Sequence, residues 1–172
     1  QTQEEVIRFL REARTAAKLD HRNIVPVHEV GEHEGRHYIA MKFIEGVTLD
    51  KLRLEPAKAL ELIRDAALAL HFAHEKGIIH RDMKPQNLMK DDDGRVWVMD
   101  FGFARALERG STLTLSGTAV GTPAYMPPEQ ADGRRADERS DVYSLGATLY
   151  QLLAGQPPFL GADPVVILKK VL

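Results

Sequence analysis

Three short polar strings interrupt an otherwise periodic chain: His80-Arg81-Asp82-Met83-Lys84-Pro85-Gln86-Asn87, then Asp100-Phe101-Gly102, then Pro127-Pro128-Glu129. The first follows a long helical pattern, the second a short strand pair, and the third a stretch rich in Gly, Ser and Thr. Each therefore lies at a junction between an element and a loop, the position from which side chains most often do chemistry. Their order and spacing restrict the fold more than any bulk property of the chain does.

The elements between them can be read from periodicity. Val6, Phe9, Leu10, Ala13, Ala16 and Ala17 recur at helical spacing and predict an amphipathic helix over residues 4–18, with Glu12 on the flank of its apolar stripe. Ile24–Val30 and Arg36–Ile44 are rich in β-branched and aromatic residues, separated by Gly31-Glu32-His33-Glu34-Gly35, and read as a hairpin. Pro56 opens and Gly77 closes a long helix that places Leu60, Ile63, Ala66, Ala67, Leu70 and Ala73 on one face. Asp91-Asp92-Asp93-Gly94 is a turn between strands Leu88–Lys90 and Arg95–Met99. Residues 103–120 show no apolar period and read as a long loop, a feature usually functional in a compact domain. Ser140 is expected to cap a helix running to Ala154, apolar on almost every side and so the buried axis of its domain. Asp163-Pro164 starts a last helix.

Composition excludes several classes. At 172 residues, 44% hydrophobic and 28% charged, the chain is a globular domain rather than a disordered one. Its net charge of −2 offers no basic footprint for nucleic acid or an acidic membrane. With no cysteine, thiolate catalysis, disulfides and Cys-type zinc sites cannot occur. No apolar run approaches the roughly 18–20 residues that cross a bilayer, and the N-terminal Gln-Thr-Gln-Glu-Glu has no signal-peptide pattern, so a cytoplasmic location is expected. Residue 1 is not methionine, and the sequence reads as an internal piece of a longer protein.

The ordered set of strings resembles the catalytic domain of eukaryotic-like Ser/Thr protein kinases, in their bacterial form, across essentially the whole chain. That resemblance implies an α+β, two-lobed fold held only in part. Residues 1–44 would be the end of a small β-rich lobe, and residues 45–172 the core of a mainly helical large lobe. It also implies ATP as phosphoryl donor and Mg2+ as cofactor. Phosphoryl transfer needs charge neutralisation and an aligned nucleophile more than covalent help. Asp100 resembles the carboxylate that holds Mg2+ on the phosphates and Asn87 the ligand of a second metal, both hard oxygen donors. Asp82 resembles the residue that accepts the substrate hydroxyl proton, and Lys84 the cation placed on the transferring phosphoryl. Lys84, with Thr122 in Gly121-Thr122-Pro123, points to Ser/Thr protein substrates. Glu12, favoured over Glu5, looks like the glutamate that pairs the phosphate-gripping lysine. Met41 resembles the residue at the back of the adenine pocket, Lys42 and Ile44 the hinge positions whose backbone meets adenine, and Met89 the apolar floor under the base. Arg81 beside Asp82 implies regulation by phosphate on Thr112, Thr114, Ser116 or Thr118, with a homodimer as the means of loop autophosphorylation. Glu129 and Asp141 resemble structural residues, Asp141 accepting backbone N–H bonds from the catalytic loop.

Plainer readings compete at several positions. Glu12 could pair with Arg8 on a helix surface. His71 and His74 lack a third ligand at useful spacing and read as packing or capping residues, and His80 as a core histidine. The Asp91–Asp93 run lacks calcium-loop spacing and reads as a solvated turn. Met41 and Met89 could be core filler.

Departures from the pattern matter as much. The sequence contains no G-x-G-x-x-G string and no Val-Ala-Ile-Lys-like lysine ahead of the first helix, and Pro127 stands where alanine is usual before Pro-Glu. No arginine expected to pair with Glu129 follows the last helix. The 172 residues alone are therefore expected to bind ATP poorly and transfer little phosphate, and the Arg36–Ile44 strand to present an open edge prone to association. The alternative from another class is a non-catalytic pseudokinase or scaffold, against which the joint presence of Asp82, Lys84, Asn87 and Asp100 argues.

Overall fold

A computed structural model of the chain describes residues 7, 10, 13–101 and 123–172. Ile7, Leu10 and residues 13–16 are helical, and Ala13 and Ala16 are buried in the main core. The hairpin follows as β1 (Val27–His33) and β2 (Arg36–Met41), antiparallel with His33 opposite Arg36. Its turn is two residues long, Glu34 and Gly35, both at positive φ (49° and 74°), which matches the twist of the flanking strands. β1 thus runs through Gly31, which the sequence pattern placed in the turn. A Cβ at Gly31 would come within 2.7 Å of the Tyr38 ring directly opposite.

A second sheet has the order β3 (Gly46–Thr48), β4 (Leu88–Asp91), β5 (Val96–Val98), all antiparallel. Residues 23–25 are stitched along β5: Val98 N donates to Asn23 O at 2.8 Å, Val25 N to Val98 O at 3.0 Å, and the Asn23 amide to Val96 O at 2.8 Å. This seam ties the hairpin side of the molecule to the sheet that carries the Asp100 string.

Helix α1 (Pro56–Glu75) packs against β5 and against α3 (Glu138–Ala154), with the short α2 (Pro128–Ala131) and the terminal α4 (Pro164–Val171) beyond. Its buried face is Ala59, Leu62, Ile63, Ala66, Ala69, Leu70 and Ala73. The expected stripe is rotated: Leu60 is 53% exposed and Ala67 is also exposed, because the small residues Ala59, Ala66, Ala69 and Ala73 let neighbouring backbone approach closely.

Helix α3 differs from expectation in two ways. Its N-cap is Asp137, whose carboxylate accepts from Arg139 N at 2.9 Å, while Ser140 is the third helical residue and its hydroxyl accepts from Asp137 N at 3.1 Å. Nor is the helix buried on all sides. Its inner face holds Ser140, Asp141, Ser144, Leu145, Ala147 and Thr148, whereas Val142 is 67% exposed and Tyr150 and Leu153 are also exposed. The inner face is small and polar because it must reach other backbone, not merely fill space.

Candidate active site

The string His80–Asn87 is built on fixed backbone. Gly77, at φ 72°, ends α1 and turns the chain back. Asp141, fully buried on α3, then takes three donors: His80 N at 2.8 Å and Arg81 N at 2.7 Å from the loop, and the His74 ring at 2.7 Å from α1. Arg81 sits at φ 68°, a strained conformation for a non-glycine residue, and the Asp141 carboxylate holds it there. The His80 ring is wholly buried, lies 4.8 Å from the Phe101 ring, and hydrogen-bonds Met99 O at 2.8 Å. One core histidine therefore couples the 80–87 loop to the 100–102 string. His74, read from sequence as a packing or capping residue, anchors the loop through Asp141; its partner lies 67 residues away, and helix periodicity carries no sign of it.

Three side chains meet at the loop's outer end. Lys84 Nζ donates to Asp82 Oδ2 at 2.7 Å, and the Asn87 amide nitrogen donates to Asp82 O at 2.7 Å and Oδ2 at 3.1 Å. With its nitrogen so engaged, the Asn87 amide is fixed beside Asp82. Met99 N donates to Asn87 O at 3.0 Å, bringing Asp100 to the same end of the sheet. Asp100, exposed and at φ 55°, lines a small cleft with Met41, Val27, Val98, Ala16 and Phe101. Asn87 and Asp100 carry hard oxygen atoms of the kind a divalent cation takes, and among the described residues no cluster of three or more His, Asp or Glu competes for a metal.

Of the residues expected to bound an adenine, Met41 lines this cleft. Lys42 turns away to lie over the Trp97 ring, its Nζ 4.8 Å from the centroid, while its backbone N donates to Pro26 O at 2.9 Å. Met89 stands opposite Trp97 in the β4–β5 ladder, and Ile44 is half-buried. Asp91, read as a solvated turn residue, is an organised acceptor: Arg95 N reaches its Oδ1 at 2.8 Å and the Trp97 indole N–H its Oδ2 at 2.7 Å. Burial alone would push its pKa up, but these bonds and the Arg95 charge more than offset it and hold the carboxyl below its ordinary value.

Glu129 accepts from Ser140 Oγ at 2.5 Å, so its partner in this chain is a hydroxyl on α3. Tyr125 hydrogen-bonds Gln151; burial raises its pKa, with Gln86 and Gln151 partly offsetting. It therefore ties the segment after the long loop to both α3 and the 85–87 turn. Sequence patterning missed Tyr125 and Trp97 because each acts through a partner on a different element. Glu5, Glu12, Thr112, Thr114, Ser116, Thr118 and Thr122 lie outside the described residues.

Comparison with known proteins agrees with this geometry. The family description "Protein kinase domain" matches residues 1–171. The chain is 47% identical over 171 residues to serine/threonine-protein kinase PknB of Mycolicibacterium smegmatis, covering 94% of this chain and 27% of that protein. It is 44% identical over 170 residues to the probable PknB of Lactococcus lactis, covering 96% and 27%. The chain thus spans about a quarter of the length of these curated relatives. Among solved structures, the Mycobacterium tuberculosis PknI kinase domain superposes with a TM-score of 0.74 at 32% identity, over 95% of this chain and 61% of that one. No described helix is long and apolar enough to cross a membrane. A loop pinned by a buried aspartate, a mixed helix-and-strand fold shared with a solved kinase domain and a family match over nearly every residue lead to one conclusion: this chain belongs to the protein kinase family.

Proposed function

We propose that these residues serve a Ser/Thr protein kinase that transfers the γ-phosphoryl of MgATP to hydroxyls of protein substrates. The observation that carries this reading is the state of Asp82. Its Oδ2 is taken by Lys84 and Asn87, which leaves Oδ1 to receive the substrate proton from a half-exposed position. As the hydroxyl oxygen bonds to the γ-phosphorus, the bond from that phosphorus to the ADP oxygen breaks and the hydroxyl proton goes to Asp82. Lys84, held beside Asp82, stabilises the charge on the transferring group. Asn87 and Asp100 would hold Mg2+, which neutralises phosphate charge when bound. Met41, Met89, Lys42 and Ile44 would bound the adenine, and Glu12 would pair a phosphate-gripping lysine.

Regulation by phosphate on Thr112, Thr114, Ser116 or Thr118, read by Arg81, follows from the same reading, as does a transient homodimer for loop autophosphorylation; Thr122 would meet Asp82 and Lys84. Glu129 and Asp141 are structural in this scheme. Two arms test it in the full-length protein. Radiolabelled γ-phosphoryl should appear on serine or threonine and require Mg2+, and Asp100→Asn should abolish it. Label on tyrosine, or full transfer by Asp100→Asn, would contradict the reading. We propose also that the 172 residues alone transfer weakly, since they hold no Gly-rich string; turnover of about 1–100 s−1, usual for kinases, would refute that.

A further inference from the structure

Trp97 is the single tryptophan of the chain and is almost wholly buried, yet its ring faces two cations. Lys42 Nζ lies 4.8 Å from the ring centroid and Arg95 Cζ 5.4 Å. The ring cannot pivot freely, because its indole N–H is spent on Asp91 Oδ2 at 2.7 Å, and Asp91 is itself fixed by Arg95 N at 2.8 Å. The same carboxylate offsets the repulsion between the two cations that share the ring. Trp97 is therefore a rigid platform carried by β5, the strand that leads into Asp100.

Lys42 belongs to a different part of the molecule. It follows β2 and opens the connection to β3, and Lys42, Phe43 and Glu45 are all exposed, Phe43 at 84%. One side of this connection is tied by Lys42 N donating to Pro26 O. The other side is tied by the Lys42 ammonium on the Trp97 face. An exposed segment with so little burial of its own is easily displaced unless such contacts fix it. Because Trp97 stands opposite Met89 in the ladder, the contact links Lys42 to the strand pair that carries Met89.

We propose that Trp97 is a positioning residue for the nucleotide: by seating Lys42 on its ring, it fixes the 42–44 backbone at the separation from Met89 that an adenine ring requires. This rests on the kinase reading above. The contact acts on ground-state binding and leaves the chemical step alone, so it changes nucleotide affinity more than turnover. A cation–π contact at a partly exposed site corresponds to about a 2–5-fold change in affinity.

The test uses the full-length protein, with MgADP affinity from calorimetry and steady-state kinetics with ATP. Trp97→Leu should raise KM for ATP about 2–5-fold with kcat unchanged. Lys42→Met should weaken MgADP by the same factor, Lys42→Arg should restore it, and the double variant should be no weaker than either single one. In the full-length protein free of nucleotide, Lys42→Met should change the tryptophan emission, and the change should be absent in the Trp97→Leu background, because the ammonium's field on the indole is removed. Unchanged MgADP affinity in Lys42→Met, or additive losses in the double variant, would overturn the proposal while leaving the kinase reading intact. Loss of kcat with KM unchanged would overturn it too, by assigning Trp97 to the chemical step. Failure of the unmodified protein to bind MgADP would overturn both.

Discussion

At the scale of single residues, Asp141 and Asp91 show how a carboxylate is given a structural task. Asp141 has no exposure and three donors, so an amide in its place would set N–H against N–H. Asp141→Asn should cost about 3–5 kcal/mol in chemical denaturation, the usual penalty for breaking a buried charged network. A loss below about 1 kcal/mol would mean that the 80–87 loop does not depend on it. Asp91 permits a pH prediction. Its carboxyl titrates below the ordinary value, so the stability it adds is complete above about pH 4, the range of an unperturbed Asp, and is lost as pH falls through its lower folded value. Acid titration of Trp97 emission should show this step, and Asp91→Asn should remove it. The grouping of Asp82, Lys84 and Asn87 was legible in the sequence because those residues lie in one short contiguous string. The anchoring role of His74 and the platform role of Trp97 were not, since their partners lie on other elements.

Elements were legible where periodicity and turn chemistry act alone, as in α1, β4–β5 and the start of α4 at Asp163, whose carboxylate caps Val166 N at 3.0 Å. Orientation was not. In α3 the apolar residues Val142, Tyr150 and Leu153 face outward while Ser140, Asp141, Ser144 and Thr148 face inward. An apolar count assigns a helix like this to the interior but cannot say that its polar face is the buried one. Ser140 joins two things at this end: it accepts from Asp137 N as part of the α3 cap, and it donates to Glu129. Ser140→Ala should therefore lower stability by about 1–2 kcal/mol in thermal or chemical unfolding, more than an exposed cap alone would cost. In the β3–β4 pair, a Cβ at Gly46 would fall 2.4 Å from Lys90 O, which backbone cannot yield cheaply. Gly46→Ala should cost about 1–3 kcal/mol by the same measurements, and an unchanged midpoint would show that this edge of the sheet is loose.

Across the whole molecule, the two acidic strings meet because residues 23–25 pair along β5, His80 bridges to Met99, and Met99 N bonds Asn87 O. This convergence could not be read from spacing alone; the resemblance of the strings to a kinase implied it, and the bonds from Asn87 to Asp82 and from Met99 N to Asn87 O bring the backbone of the two strings to one end of β4 and β5. The residues proposed to carry regulation, Thr112, Thr114, Ser116 and Thr118, lie outside the described residues. The central claim concerns Asp82 as the base for the incoming hydroxyl. Its most direct measurement compares Asp82→Asn with the unmodified full-length protein in single-turnover phosphoryl transfer, with MgATP affinity determined in parallel. The account predicts a fall of about 10²–10⁴-fold in the transfer rate with MgATP affinity nearly unchanged. Transfer at the original rate, or loss of MgATP binding in place of loss of the chemical step, would contradict it.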